Sequence, residues 1–145
     1  DRGGFLYHGR VQAMAEAVTP PLSAAGGCNA GFLRSDSILV VTFITDEPEG
    51  ASDGNVASWT QALIDAKNGN MEAVYVLGVF SDSDLSGGVC DGPPFGLDPA
   101  PMLRSFVEGF GEQGQACSIC LPSYADCFAE AVGGIKTTCD NFVVE

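Results

Sequence analysis

Two acidic clusters stand where an apolar run ends. Asp46, Glu47, Glu49 and Asp53 follow the largely β-branched stretch "ILVVTFIT" of residues 38–45, and "SDSDLSGG", with Asp82 and Asp84, follows "AVYVLGVF" of residues 73–80. Carboxylates are hard oxygen ligands that suit Mg²⁺, Ca²⁺ or Mn²⁺, and Zn²⁺ less well. Like charges held a few ångströms apart raise each other's pKa unless a cation stands between them. Asp46, Glu47, Asp82 and Asp84 are therefore candidate metal ligands, provided that the two runs are neighbouring strands with the same direction. The competing reading makes them caps and loop formers, because Asp and Ser are common where a strand turns out of a sheet.

Sharper motifs are incomplete. Asp82-x-Asp84-x-Ser86-Gly87 matches the first half of a calcium loop, but its twelfth position is Pro93, where a bidentate Glu belongs. The same stretch has the D-x-D form of an aspartyl-phosphate loop, yet Lys67 and Lys136 fall in helical patterns that give no matching context. A thiolate route would use Cys28, in the Gly-rich turn "GGCNAG", with His8 as base, His8 being the sole histidine. The catalytic alternatives are thus Asp46, on a carboxylate-bound metal that activates water against a phosphoester, or Cys28 with His8. No G-x-S-x-G occurs, and no nucleotide-binding glycine motif opens a helix after a strand.

Something must hold the two acidic exits together, and the hydropathy pattern supplies it. Both apolar runs lack alternation, the mark of parallel strands covered by helices on both faces, so residues 38–45 are expected to be a central strand. A third, shorter strand is expected at "QACSIC", residues 115–120. Between them lie helical stripes: Val11, Met14, Ala15 and Val18, ended by Pro20 and Pro21; Val56, Trp59, Leu63 and Ala66, capped by Asn55 and ended by "NGN" at 68–70; Leu103, Phe106, Val107 and Phe110, with Asp98 as cap and Pro99 in the first turn. A last helix runs from Ser123 through Phe128, Ala131, Ile135 and Cys139 to Phe142, weakened at Gly133 and Gly134. Residues 1–9 are Gly-rich and expected to be loose. The order α-β-α-β-α-β-α predicts one α/β domain over residues 1–145, three-layered, with a parallel sheet of about three strands between helices. Ligands of such sheets sit outside the strands' carboxyl ends, and neighbouring strands are about 4.8 Å apart, so the acids would share one rim.

Bulk composition narrows the function. The 145 residues carry 19 acidic and 6 basic side chains, a net charge of −13. That surface repels nucleic-acid phosphate and favours cations. Apolar runs of about seven residues fall far short of the ~20 that span a bilayer. Six cysteines (Cys28, Cys90, Cys117, Cys120, Cys127 and Cys139) favour disulfides in an extracellular or periplasmic protein. Cys117-x-x-Cys120 also leaves open half of a zinc site or a redox pair, and six cysteines allow fifteen pairings.

The succession "NAGFLRSDSILVVTFITDEPEGAS", "SWTQALIDAKNG", "AVYVLGVF", "PMLRSFVEGFG" and "CSICLPSYADCFAEAVGGIKTTCD" resembles the C-terminal half of a von Willebrand factor A-type domain, in particular its secreted and lipoprotein bacterial versions. The resemblance implies a Rossmann-like sheet of which this chain holds half, and a divalent-cation-assisted binding or adhesion module. Asp46 would be the third-loop aspartate of the metal-ion-dependent adhesion site. No D-x-S-x-S precedes it, and no room for three strands exists upstream. With that half missing, strand 38–45 would become an apolar edge, expected to pair with the same edge of a second copy, to give a homodimer in which the two Asp46 loops meet. A protein or surface ligand is the expected partner.

Overall fold

Asn55 shows how closely local chemistry sets the elements. Its side chain accepts a hydrogen bond from Ser58 N at 3.0 Å while the Ser58 hydroxyl accepts one from Asn55 N at 3.0 Å, a reciprocal capping box that starts helix α2, Val56–Asp65. Asn68 and Gly69, both with positive φ, turn the chain out of that helix. In the computed structural model, which describes residues 9–50, 52–94 and 96–143, the remaining elements are α1 Arg10–Val18, β1 Leu39–Ile44, β2 Val74–Phe80, α3 Pro101–Glu108, β3 Gly114–Ser118 and α4 Ala125–Asn141. The expected alternation and the parallel α/β sheet are both present.

The sheet order is β1-β2-β3, all parallel. β2 is its centre, and all seven of its residues are buried. β1 is not the central strand that its unbroken apolar run suggests but the edge that the half-domain resemblance implies. It is an edge strand, buried on one side through Leu39, Val41 and Phe43 and exposed on the other at Val40, Thr42 and Ile44. The helices are divided unequally. α1, α2 and α3 share one core with β1 and β2, around Val11, Trp59, Leu63, Leu103, Phe106 and Phe110. Among the described residues only α4 covers the opposite face, where Cys127 and Ala131 meet Tyr75, Leu77 and Val79 of β2. Among the described residues, β1's second face therefore has no helix over it.

Two boundaries moved for identifiable reasons. α3 begins at Pro101, not at Pro99, with Ala100 as its uncapped first flank. A proline disfavours helical backbone at the residue before it, so the second proline sets the start. α4 runs unbroken through Gly133 and Gly134, and at Gly134 a Cβ would stand 2.5 Å from the Tyr75 ring. There glycine permits close helix–sheet contact, which offsets its low propensity. The buried stripe of α4 is Cys127, Ala131 and Thr138, which leaves Phe128 and Cys139 exposed.

Four of the six cysteines form disulfides, Cys90–Cys120 and Cys117–Cys127, and Cys28 and Cys139 are free thiols. No described helix is long and apolar enough to cross a membrane.

Candidate functional site

The register of β1 on β2 places the two acidic exits side by side. Ile44 pairs with Val79, and Thr45 N donates to Val79 O at 2.9 Å, so Asp46 and Ser81 leave the sheet on the same rim. At that rim the acids are engaged within the chain. Glu47 pairs with Arg10 at 2.5 Å, and its N–H donates to the Thr45 hydroxyl at 3.1 Å. Glu49, buried, accepts from Val11 N at 3.0 Å and from the Ser52 hydroxyl at 2.5 Å. α1 starts here, and its flanking Gly9 offers no side-chain cap. The N–H groups and positive dipole end of a helix attract carboxylate, and the β1 exit supplies it.

The β2 exit is tied down in the same manner. Asp82 is buried, and its two carboxylate oxygens accept from Val89 N and Cys90 N, each at 2.8 Å. Burial alone would raise the Asp82 pKa, but these two backbone N–H groups and the Ser118 hydroxyl outweigh it and hold the carboxyl below its ordinary value. The Cys90–Cys120 disulfide then fastens the same loop to the end of β3. Asp84 receives a two-pronged guanidinium: Arg104 Nη2 at 2.8 Å and Nε at 3.1 Å. That pairing, chiefly, lowers the Asp84 pKa. Arg104 also donates to Ser81 O at 3.2 Å and lies 5.3 Å over the Phe80 ring.

Of the four candidate ligands, Glu47, Asp82 and Asp84 thus already face cationic or N–H partners. Asp46 is exposed, with no side-chain hydrogen bond or ion pair among the described residues. No group of three or more His, Cys, Asp or Glu among the described residues is arranged to hold a metal ion. As they stand, these residues do not fit a resident divalent ion. Of the thiolate pair, Cys28 is an exposed free thiol and His8 lies outside the described residues. The grooves lie elsewhere: one of about 560 Å³ between the ends of α1 and α2, lined by Leu33, Arg34 and Asp65, and one of about 510 Å³ beside α4, lined by Glu72, Glu112 and Thr137. Neither reaches the acidic rim.

Asp82 yields a direct test. Its folded pKa is depressed, so its contribution is present above the unfolded pKa of about 4 and disappears as pH falls through the folded value. Asp82→Asn should lower stability at pH 7 by about 1–3 kcal/mol, through weaker acceptance of two buried N–H groups. It should also flatten the fall in stability below pH 4 that the depressed Asp82 pKa implies for the native protein. Urea melts at pH 7 and pH 3 measure both.

Beside the rim lies the open edge of β1 that the half-domain resemblance implies, and on α4 an exposed apolar stripe that sequence reasoning missed. Val40 and Ile44 are 41% and 59% exposed, and on α4 Phe128 and Val132 are 39% and 65% exposed. The β3 side of α4 is marked by the Cys117–Cys127 disulfide and by Gln115 Nε2, which donates to Cys127 O at 3.2 Å and to Glu130 at 3.1 Å. Each residue turns a helix by about 100°, so Phe128, Val132 and Ile135 face the other way, toward β1. The backbone of β1 is open as well. Thr45 N–H points to β2, and by strand alternation so do the amides of Phe43 and Val41. Val40, Thr42 and Ile44 therefore direct their N–H and C=O groups outward, where no described segment meets them. The sequence signal was present: residues 37–45 contain no charge and no proline, the devices that normally protect an edge.

No protein-family model, no curated protein and no solved structure matches this chain.

Proposed function

We propose that the chain is an interaction module of the von Willebrand factor A type, extracellular or periplasmic, that binds a partner strand along the open side of β1. One observation carries this reading: an uncharged edge strand with outward backbone groups adjoins an apolar face that no described segment covers. Strand addition to such an edge gains main-chain hydrogen bonds, and alternate side chains give it specificity. The parallel order β1-β2-β3 with helices on both faces supports the family resemblance. The two disulfides support an oxidising compartment.

Backbone hydrogen exchange in dilute protein tests the open edge. Val40, Thr42 and Ile44 amides should exchange fast while those of Val41 and Phe43 stay protected. Protection of all five would mean that the edge is already covered, and the reading would fall.

A cation-assisted form of this module, and its alternative as a metal-dependent phosphoester hydrolase, rest on Asp46 as the one uncommitted carboxylate of the four. Because a single carboxylate makes a poor site for a divalent ion, millimolar Mg²⁺, Ca²⁺, Mn²⁺ or Zn²⁺ should shift Tm by less than about 1 °C, and no phosphoester should turn over. A native-state ligand at a hundred times its Kd would add about 2.7 kcal/mol, a shift easily seen. A Tm rise lost in Asp46→Ala would restore the cation to the mechanism.

A further inference from the structure

We infer that the partner strand is β1 of a second copy, paired antiparallel about a twofold axis normal to the sheet and centred on Thr42. The inference rests on the docking reading above and specifies its occupant. β1 is self-complementary in this register: Thr42 faces Thr42 of the other copy, and Val40 faces Ile44. All three present outward N–H and C=O groups, so each facing pair forms the doubly bonded kind of antiparallel ladder, and Thr–Thr and β-branched pairs stabilise such ladders.

The same axis explains α4. A twofold normal to the sheet keeps both copies of α4 on one face. α4 sits over β2, and the two β2 strands of the joined sheet are three strand spacings apart, about 14 Å. Packed helices lie 8–10 Å apart, which leaves a gap of about 4–6 Å for side chains to fill. Phe128 and Val132 face that gap from both sides, above a floor of Val40, Thr42 and Ile44. One operation thus covers the bare strand, the bare sheet face and the bare helix stripe, as an isologous interface requires.

Charge selects the direction of the pairing. Each copy carries −13, and antiparallel strands send the two acidic rims to opposite ends. The two Asp46 loops are then far apart, in place of the shared carboxylate cleft expected from the sequence. Residual repulsion is screened by salt, so association should tighten several-fold between 50 mM and 500 mM NaCl.

Sedimentation velocity from 1 to 200 µM, with hydrogen exchange at the same concentrations, is the test. The expected result is a concentration-dependent dimer in which the Val40, Thr42 and Ile44 amides become protected as the dimer forms. Thr42→Lys and, on the other element, Val132→Glu should each give a monomer with those amides exposed. Both positions face solvent in the single chain, so circular dichroism and Tm of the variants should match the native protein at low concentration. A native monomer at 200 µM with exposed edge amides would overturn the second copy as occupant and leave the docking edge intact. A monomer with protected amides would overturn both readings. A dimer that survives Thr42→Lys and Val132→Glu would place the interface elsewhere and overturn the inference.

Discussion

Gly78→Val should leave almost no folded protein at 25 °C. Gly78 lies in the middle of β2 opposite Phe43, and a Cβ there would stand 2.6 Å from Phe80 Cε1, 2.7 Å from Phe43 Cζ and 2.9 Å from Val107 Cγ2. The Phe43 and Phe80 rings are stacked at 5.9 Å, 6° from parallel, directly over that space. Phe43, Phe80 and Val107 are all buried, so room for a new side chain must come from repacking of the core. Overpacking by one methyl typically costs about 1–3 kcal/mol, and valine adds three carbons where domains of this size have about 5–15 kcal/mol in total. Gly78→Ala should therefore fold with a clearly reduced Tm, and Phe43→Leu should recover part of that loss. Near-native melting of Gly78→Val would refute this account of the core.

The second large effect concerns the disulfides. Cys90–Cys120 closes a loop across 30 residues and Cys117–Cys127 one across 10. By chain entropy these correspond to about 3.5 and about 2.5 kcal/mol, model-dependent values that together rival the stability of a small domain. Cys90→Ser with Cys120→Ser should lower the urea midpoint markedly and loosen the 82–90 loop first, because Asp82 and the disulfide hold the same turn. Full reduction should unfold the domain or leave it marginal at 37 °C. Non-reducing mass spectrometry should report two disulfides and two alkylatable thiols, Cys28 and Cys139. A reduced protein with an unchanged midpoint would contradict this.

Most of the fold was legible because its signals are local. Helical stripes, the Asn55 cap, the exit at Asn68-Gly69 and the unbroken apolar runs each depend on residues a few positions apart. Strand centrality was not legible in the same way. β1 and β2 are equally apolar in sequence, and only the division of helices between faces decides which has both sides covered. The partners of the acidic residues were hidden for a related reason. The acidic exits do share a rim, as their position after parallel strands implied. Their partners, however, sit at long separations, Arg10 with Glu47 and Arg104 with Asp84, 37 and 20 residues apart. A hint existed in the 6 basic residues against 19 acids, since a guanidinium that scarce is readily drawn to paired carboxylates. The second proline ahead of α3 was likewise readable, whereas the place of Gly134 in α4 depended on Tyr75, 59 residues away in β2.

One further consequence comes from the direction in which the sheet is wound. From β1 to β3 each strand is laid beside the last on the same side, and α2 and α3 cross over one face. Small molecules in layered α/β proteins lodge where consecutive connections diverge to left and right and leave a crevice between loops. Winding that never reverses forms no such crevice among the described residues.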